Sequence, residues 1–366
     1  MNSMAKPRDG QASSLDVLIF DMDGVLIDVS NSYRKTIKET VHLYLTTILG
    51  LKIDPEKLSL DKAISLFKSA GGFNNDWDLT SGLLLYLLSA SGLPPFSSPV
   101  KFSTISEIVD HLRAKAKGSH AGRTPRVSLR RLSSFLGKVK SSGGGLKSVR
   151  KNLRNSWDGW VYRSGNLDRE NVIKRIFQEV YLGEKFTPCY HLRPLFYPGR
   201  GYYLREKMII PRLVLSTLQK KLRLGIASGR PRYEAELALK RFRLFSYFDS
   251  VVTLDDCLEE EERILRLTGK RIRCSKPHPY PLLRAIHEIG LSHPQWGYVG
   301  DVVDDMQAAH AARKKGPVLA IGFISDEKDR ATEKALVQAG ADQVMRHPKE
   351  LLGLLARGKE PLFLKN

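Results

Sequence analysis

The sequence predicts an α/β protein built on a parallel sheet. Two observations carry that expectation. An apolar run, Leu15–Phe20, reads as a buried strand and ends in Asp21-Met22-Asp23-Gly24. From Leu222 onward short apolar strands alternate with helical patterns, the mark of parallel strands joined by crossovers. At 366 residues, 42% hydrophobic and 27% charged, the chain is long enough for a full core and two domains.

The opening strand sets the chemistry. Side chains two apart on a strand share a face, so Asp21 and Asp23 emerge together at its carboxyl end. Like charges that close raise each other's pKa unless a cation or a proton lies between them. An acidic turn would place the same residues there without any use for them; the rest of the chain decides between the two.

After the strand, Ile37, Val41, Leu45 and Ile48 mark a helix over Asn31–Leu49, capped by Ser30, Asn31 or Ser32. A second helix is expected over Leu58–Ser69 and a third over Leu79–Ser89. Between these two lies Gly71–Asp78, where paired glycines stand beside Asn74, Asn75, Asp76 and Trp77. Such a loop suits close approach to a ligand, and it equally suits a helix–helix turn with Asn and Asp as caps. Thr104-x-x-Glu107 reads as a capping box opening a helix toward Ala114.

The net charge of +20 is unevenly spread. Arg113–Arg154 holds thirteen Lys or Arg and no Asp or Glu, so this one segment carries most of the excess. Leu129, Leu132, Phe135, Leu136 and Val139 space out one basic amphipathic helix, and the remainder, with Gly143-Gly144-Gly145, reads as a flexible insertion. It would be either an electrostatic tether to nucleic acid or acidic lipid, or a solvated loop; the solvated loop is the favoured expectation.

Helices follow over Asn166–Tyr181, closed by Gly183, and over Arg205–Lys221. Then come strand Leu222–Ala227, helix Pro231–Arg243, strand Ser250–Leu254, helix Tyr280–Ile289, strand Trp296–Val299, helix Met306–Lys315, strand Val318–Ile321, helix Lys328–Ala339 and an edge strand, Gln343–Met345.

In open α/β sheets ligands bind beyond the carboxyl ends of the strands. Four exits here carry distinct polar residues: Asp21 and Asp23; Ser228-Gly229-Arg230, a hydroxyl and a glycine ahead of a helix; Lys276 within Ser275–Pro279; and Gly300–Asp305, with Asp301, Asp304 and Asp305. Each alone is a common cap or turn. Together and in this order they resemble the four motifs of the haloacid dehalogenase superfamily: Asp21–Val25, Ser228, Lys276 and Gly300–Asp305. The resemblance covers about Leu15–Asp28 and Lys207–Leu355, and the long insertion between the first two motifs is similar to members with a helical cap of the C1 type. Gly71–Thr80 and Ser228–Arg232 also look like a little-characterised archaeal and cyanobacterial branch.

The resemblance implies a Rossmann-like sheet with helices on both faces plus an inserted helical cap domain. The core would be 15–28 and 206–366, and the cap 29–205, with its basic insertion at about 113–155. It implies Mg²⁺ bound at Asp21, Asp23, Asp301 and Asp305, with Asp304 a near neighbour. Asp21 would be the nucleophile and Asp23 the proton carrier, while Ser228, Gly229 and Lys276 would hold phosphate and Arg230 could add an anion contact. Asn74, Asn75, Asp76 and Trp77 would choose the substrate. Dehalogenases lack the second Asp, because a halide leaving group needs no proton. A phosphatase acting on a small phosphorylated metabolite therefore leads; a phosphomutase and a nucleic-acid-directed protein using the basic segment are the alternatives.

Met1–Ser14 is polar and without an apolar core, so neither a signal peptide nor a membrane anchor is expected there, and the first fourteen residues read as flexible. Cys189, Cys257 and Cys274 are odd in number and scattered, which suits no disulfide framework or zinc site. A cytoplasmic location is the expectation.

Overall fold

The apolar run at the start of the chain forms β1 (Val17–Phe20), buried along its whole length. The protein was studied as a computed structural model that describes residues 15–73, 75–118, 127–325 and 330–355. The other strands are β2 (Ile27–Asp28), β3 (Lys207–Met208), β4 (Arg223–Ala227), β5 (Ser250–Val252), β6 (Trp296–Gly300), β7 (Val318–Phe323) and β8 (Gln343–Met345). Six of them make one parallel sheet in the order β5-β4-β1-β6-β7-β8, while β2 and β3 pair as a short antiparallel ribbon.

The order reverses at β1, and a crevice opens at such a point. Register fixes what faces it. Phe20 pairs with Ile226 on one side and Val299 on the other. The acids after Phe20, the hydroxyl after Ala227 and the acid after Gly300 therefore leave the sheet side by side. Val17, Ile19, Ala227, Val252, Tyr298 and Val318 lie in the buried core of this layer.

The chain divides into two units. Residues up to Asp28 and from Lys207 form one, and Val29–Glu206 form the other. The second is helical: α1 (Tyr33–Leu43), continued by a π-helical turn at Tyr44–Ile48, α2 (Leu60–Ala70), α3 (Asp76–Ser89), α4 (Ile105–Gly118), α5 (Leu129–Ser141), α6 (Gly145–Asn152), α7 (Val172–Leu182) and α8 (Phe186–Tyr190). Its helices form where apolar residues recur at helical spacing: α1 buries Ile37 and Val41, and α7 buries Val172, Ile176 and Val180. Thr104 caps α4 as expected, its Oγ1 accepting from Glu107 N–H (3.2 Å), but the Glu107 carboxylate accepts from Ser103 N–H (3.0 Å), so the expected reciprocal box is only half formed.

The basic segment departs from expectation. Residues 127–154 are not a flexible insertion: α5 buries Leu132, Leu136 and Val139 and packs on α2, and α6 buries Val149 and packs on α3 and α5. The two glycine runs, read separately in the sequence, meet. Gly145 N–H donates to Gly71 O (2.9 Å), and a Cβ on Gly72 would stand 2.7 Å from Gly145 N. Only glycines allow two backbones this close. A buried Asp158 closes the segment, accepting from Arg150 (2.7 Å) and pairing with Arg163 (3.3 Å). The cations sit on the outer face, with Arg130, Arg131, Lys138 and Lys140 exposed.

The first unit holds α9 (Arg212–Gln219), α10 (Arg232–Phe242), α11 (Leu254–Thr268), α12 (Tyr280–Ile289), α13 (Val303–Ala312) and α14 (Arg330–Gln338). The helix expected from Arg205 starts only at Arg212, because 207–208 pairs as β3 and Pro211 takes the N-cap. α11 has no counterpart among the expected elements. It is opened by a Thr253/Asp256 capping box and buries only Cys257. Among the described residues no helix is long and apolar enough to cross a membrane. The first fourteen residues, Asn74 and the start of the helix expected at Lys328 lie outside the described residues.

Candidate active site

Asp21 follows β1 directly, its N–H donating to Val299 O (2.8 Å), which ties it to β6. Its side chain is buried, and Oδ1 accepts from Met22 N–H (2.8 Å). The next residues turn sharply: Gly24 N–H donates to Ile27 O (2.9 Å) with Gly24 at φ +75°, in the left-handed region that glycine tolerates.

Lys276, on the turn before α12, reaches the same point. Its Nζ lies 2.9 Å from Asp21 Oδ1, 2.6 Å from Asp305 Oδ1 and 2.9 Å from Tyr298 Oη, so all three ammonium protons have partners. Burial disfavours its charge, but Asp21 and Asp305 outweigh burial and hold the ammonium well above its ordinary range. Burial, opposed by Lys276 and reinforced by Asp305 and Asp23, pushes the Asp21 carboxyl up to about 7.

Asp305 is the most tightly held acid of this group. Oδ1 accepts from Lys276 Nζ and from Tyr298 Oη (2.9 Å), while Oδ2 accepts from the N–H groups of Asp301 (3.1 Å) and Val302 (3.2 Å) at the start of α13. Asp301 differs. Among the described residues its carboxylate receives no hydrogen bond, and burial with Asp305 and Asp21 nearby raises its pKa strongly. Asp21, Asp301 and Asp305 each present a carboxylate oxygen within 4.8 Å of the others. Asp304 is half-buried, its carboxyl raised by burial and by Asp305.

On the other side of β1, Ser228 is buried beyond β4, its N–H on Val252 O (2.9 Å) and its Oγ accepting from Arg230 N–H (3.2 Å). Gly229 is exposed, and a Cβ there would meet nothing within 4 Å. Arg230 is buried and donates from Nε to Asp23 Oδ1 (2.5 Å).

The described candidates in Gly71–Asp78 have partners within the helical unit. Asn75 caps α3 by accepting from Asp78 N–H (2.8 Å), Asp76 lies 3.6 Å from Lys68, and Trp77 sets its edge against Phe177 under Lys174. Asn74 is outside the described residues. Sequence reasoning missed Tyr298. Its one signal was a tyrosine inside an otherwise buried strand, where a hydroxyl needs a partner.

A family model described as a haloacid dehalogenase-like hydrolase matches residues 15–313. An imidazoleglycerol-phosphate dehydratase of Phytophthora nicotianae is 24% identical over 345 residues, 91% of this chain and 51% of that protein. An N-acetylmuramic acid 6-phosphate phosphatase of Pseudomonas aeruginosa is 26% identical over 148 residues, 40% of this chain and 56% of that one. The matches thus span about half the length of these relatives. Among solved structures, a structural-genomics target is alike in fold, with a TM-score of 0.61 at 19% identity over 93% of this chain and 98% of that one.

Proposed function

Because the chain belongs to the haloacid dehalogenase-like hydrolase family, we propose that it hydrolyses a small phosphate monoester by way of a phosphorylated Asp21. The observation that carries this reading is the buried Asp21 carboxylate held 2.9 Å from Lys276, beside Asp301 and Asp305 at the carboxyl end of β1. Both relatives above are named for phosphate esters, which supports the substrate class.

An Asp21 oxygen attacks phosphorus in line, the bond from phosphorus to the ester oxygen breaks, and Asp23 gives that oxygen its proton. Water then attacks the same phosphorus, passes its proton to Asp23, and Asp21 is released. Ser228 Oγ–H and the Gly229 N–H hold the phosphoryl oxygens through both steps, and Lys276 Nζ turns the proton it gives Asp21 toward one of them. Lys276 also balances the negative charge that Asp21, Asp305 and the phosphate bring together.

The donors here are carboxylate oxygens, which fit a hard divalent cation such as Mg²⁺. Asp21, Asp301 and the backbone carbonyl of Asp23 would hold it. Asp305, with both oxygens already bonded, would instead support Asp301. A bound Mg²⁺ supplies charge neutralisation and polarisation at a phosphoryl oxygen.

The test is phosphate release by the purified full chain with Mg²⁺, against a panel of phosphorylated metabolites that includes N-acetylmuramic acid 6-phosphate and imidazoleglycerol phosphate. At least one ester should turn over with kcat/KM of about 10⁴ M⁻¹s⁻¹ or more. Asp21→Asn should abolish turnover while preserving the melting temperature. Undiminished turnover in that variant overturns the reading.

A further inference from the structure

Arg230 is a charged side chain buried where an α/β core ordinarily holds an apolar one. It is among the largest fully buried side chains of the described residues, with 1% of its side chain exposed. Two backbone contacts clamp it: its N–H donates to Ser228 Oγ (3.2 Å), and its carbonyl accepts from Leu254 N–H (2.9 Å). Pro231 follows with φ −55° as the N-cap of α10. The backbone can therefore shift little, and the guanidinium is aimed from a fixed base.

Its Nε donates to Asp23 Oδ1 at 2.5 Å. The two carboxylates after β1 thus have separate cations, Lys276 on Asp21 and Arg230 on Asp23. They also differ in exposure: 33% of the Asp23 side chain is open against 9% of Asp21. Burying a guanidinium is unfavourable unless it is paired, so the fold retains Arg230 with its partner. A purely structural ion pair would not need its acid left one-third open at the mouth of the site. The planar fork of an arginine can fix the plane of a carboxylate, which a lysine point charge cannot.

We propose that Arg230 is a positioning residue for leaving-group protonation, holding the Asp23 carboxyl group in the orientation from which it meets the ester oxygen. The proposal rests on the phosphatase reading above. It adds that Arg230 acts through Asp23 and does not act as one more anchor for the phosphoryl group.

The leaving group separates these roles. p-Nitrophenolate departs with little need of a proton, whereas an alkoxide needs one. Arg230→Met should lower kcat/KM on the best alkyl phosphate of the panel by about 10²-fold or more, within the range that general acid catalysis supplies. On p-nitrophenyl phosphate kcat/KM should fall less than about tenfold; this ratio reads the phosphorylation of Asp21 and leaves out the later attack of water, in which Asp23 serves every ester alike. Arg230→Lys, which keeps the charge but loses the fork, should lie between wild type and Arg230→Met and carries the test should the methionine variant not fold. In an Asp23→Asn background either substitution should cost nothing further, since residues acting as a unit are not additive. Equal losses on both esters through KM would make Arg230 a phosphate anchor and overturn the proposal. Unchanged turnover of both esters would make it structural and overturn it as well. Wild-type turnover and its dependence on Asp21 test the phosphatase reading independently of Arg230.

Discussion

Gly24 lies so close to Asp301 that a Cβ built on it would stand 2.0 Å from Oδ2. Its φ of +75° adds a second bar to any other residue. The glycine of the first motif therefore makes room for the acid of the fourth, at the mouth of β1.

Gly24→Ala should accordingly displace Asp301 and strain the turn. The expected loss is about 1–3 kcal/mol of stability from the backbone conformation. Turnover should fall by roughly 100-fold, because a displacement of about an ångström at a reacting centre costs that much. Urea unfolding and steady-state phosphate release on the same preparation measure the two effects.

Asp301 and Asp305 should separate by experiment because they are held differently. If Mg²⁺ binds as proposed, it should raise the melting temperature; Asp301→Asn should leave the cation-free value close to wild type and abolish that rise. Asp305→Asn should lower the cation-free melting temperature itself. It removes the charge paired with buried Lys276 and disturbs the four hydrogen bonds on that carboxylate. Breaking a buried pair from one side costs about 3–5 kcal/mol. Thermal melts with and without Mg²⁺ distinguish the two.

The strand exits were legible because each motif is local. Asp21, Asp23, Ser228 and Asp301 are read from their places just past apolar runs, although β1 ends at Phe20 and the first two acids leave it on a turn, not on one strand face. Parallel register then brings them together without further information. What stayed hidden depends on contacts distant in sequence. Leu136 and Val149 stand among thirteen cations, so composition speaks for solvent, and the surfaces that bury them, on α2 and α3, lie more than sixty residues earlier. α11 was missed although both of its signals are local: a Thr253/Asp256 capping box, and Leu254, Cys257, Leu258 and Leu265 at helical spacing. Arg230 beside Asp23 joins residues 207 positions apart, and nothing in either local run announces the pair.

The cysteines should differ in reactivity. Cys257 and Cys274 are buried, and burial, helped by the neighbouring thiol and acids, pushes the Cys257 thiol up to about 12. Cys274 is raised in the same way. The thiolate is the reactive form, so neither should react at pH 8 in the folded chain. Half-buried Cys189 should be the first to react. A thiol reagent should then count one fast sulfhydryl under native conditions and three in guanidinium chloride.

The folded state of the basic segment has its own test. Leu136 is 4% exposed on the face of α5 that packs against α2, while Lys138 and Lys140 on the same helix are exposed. Removing a buried leucine side chain costs about 2–5 kcal/mol, from lost transfer energy and the cavity left behind. Removing an exposed lysine away from any ion pair changes stability by less than about 0.5 kcal/mol. Leu136→Ala should therefore lower the urea midpoint of the transition that reports the helical unit, and Lys138→Ala should not. The readout must follow that unit: Trp77, Trp157 and Trp160 lie in it, so fluorescence in a Trp296→Phe background reports it. A solvated loop would make both variants indistinguishable from wild type. If the leucine variant alone is destabilised, the cations are displayed from a packed helix pair, and a binding assay against polyanions becomes a question about a fixed surface.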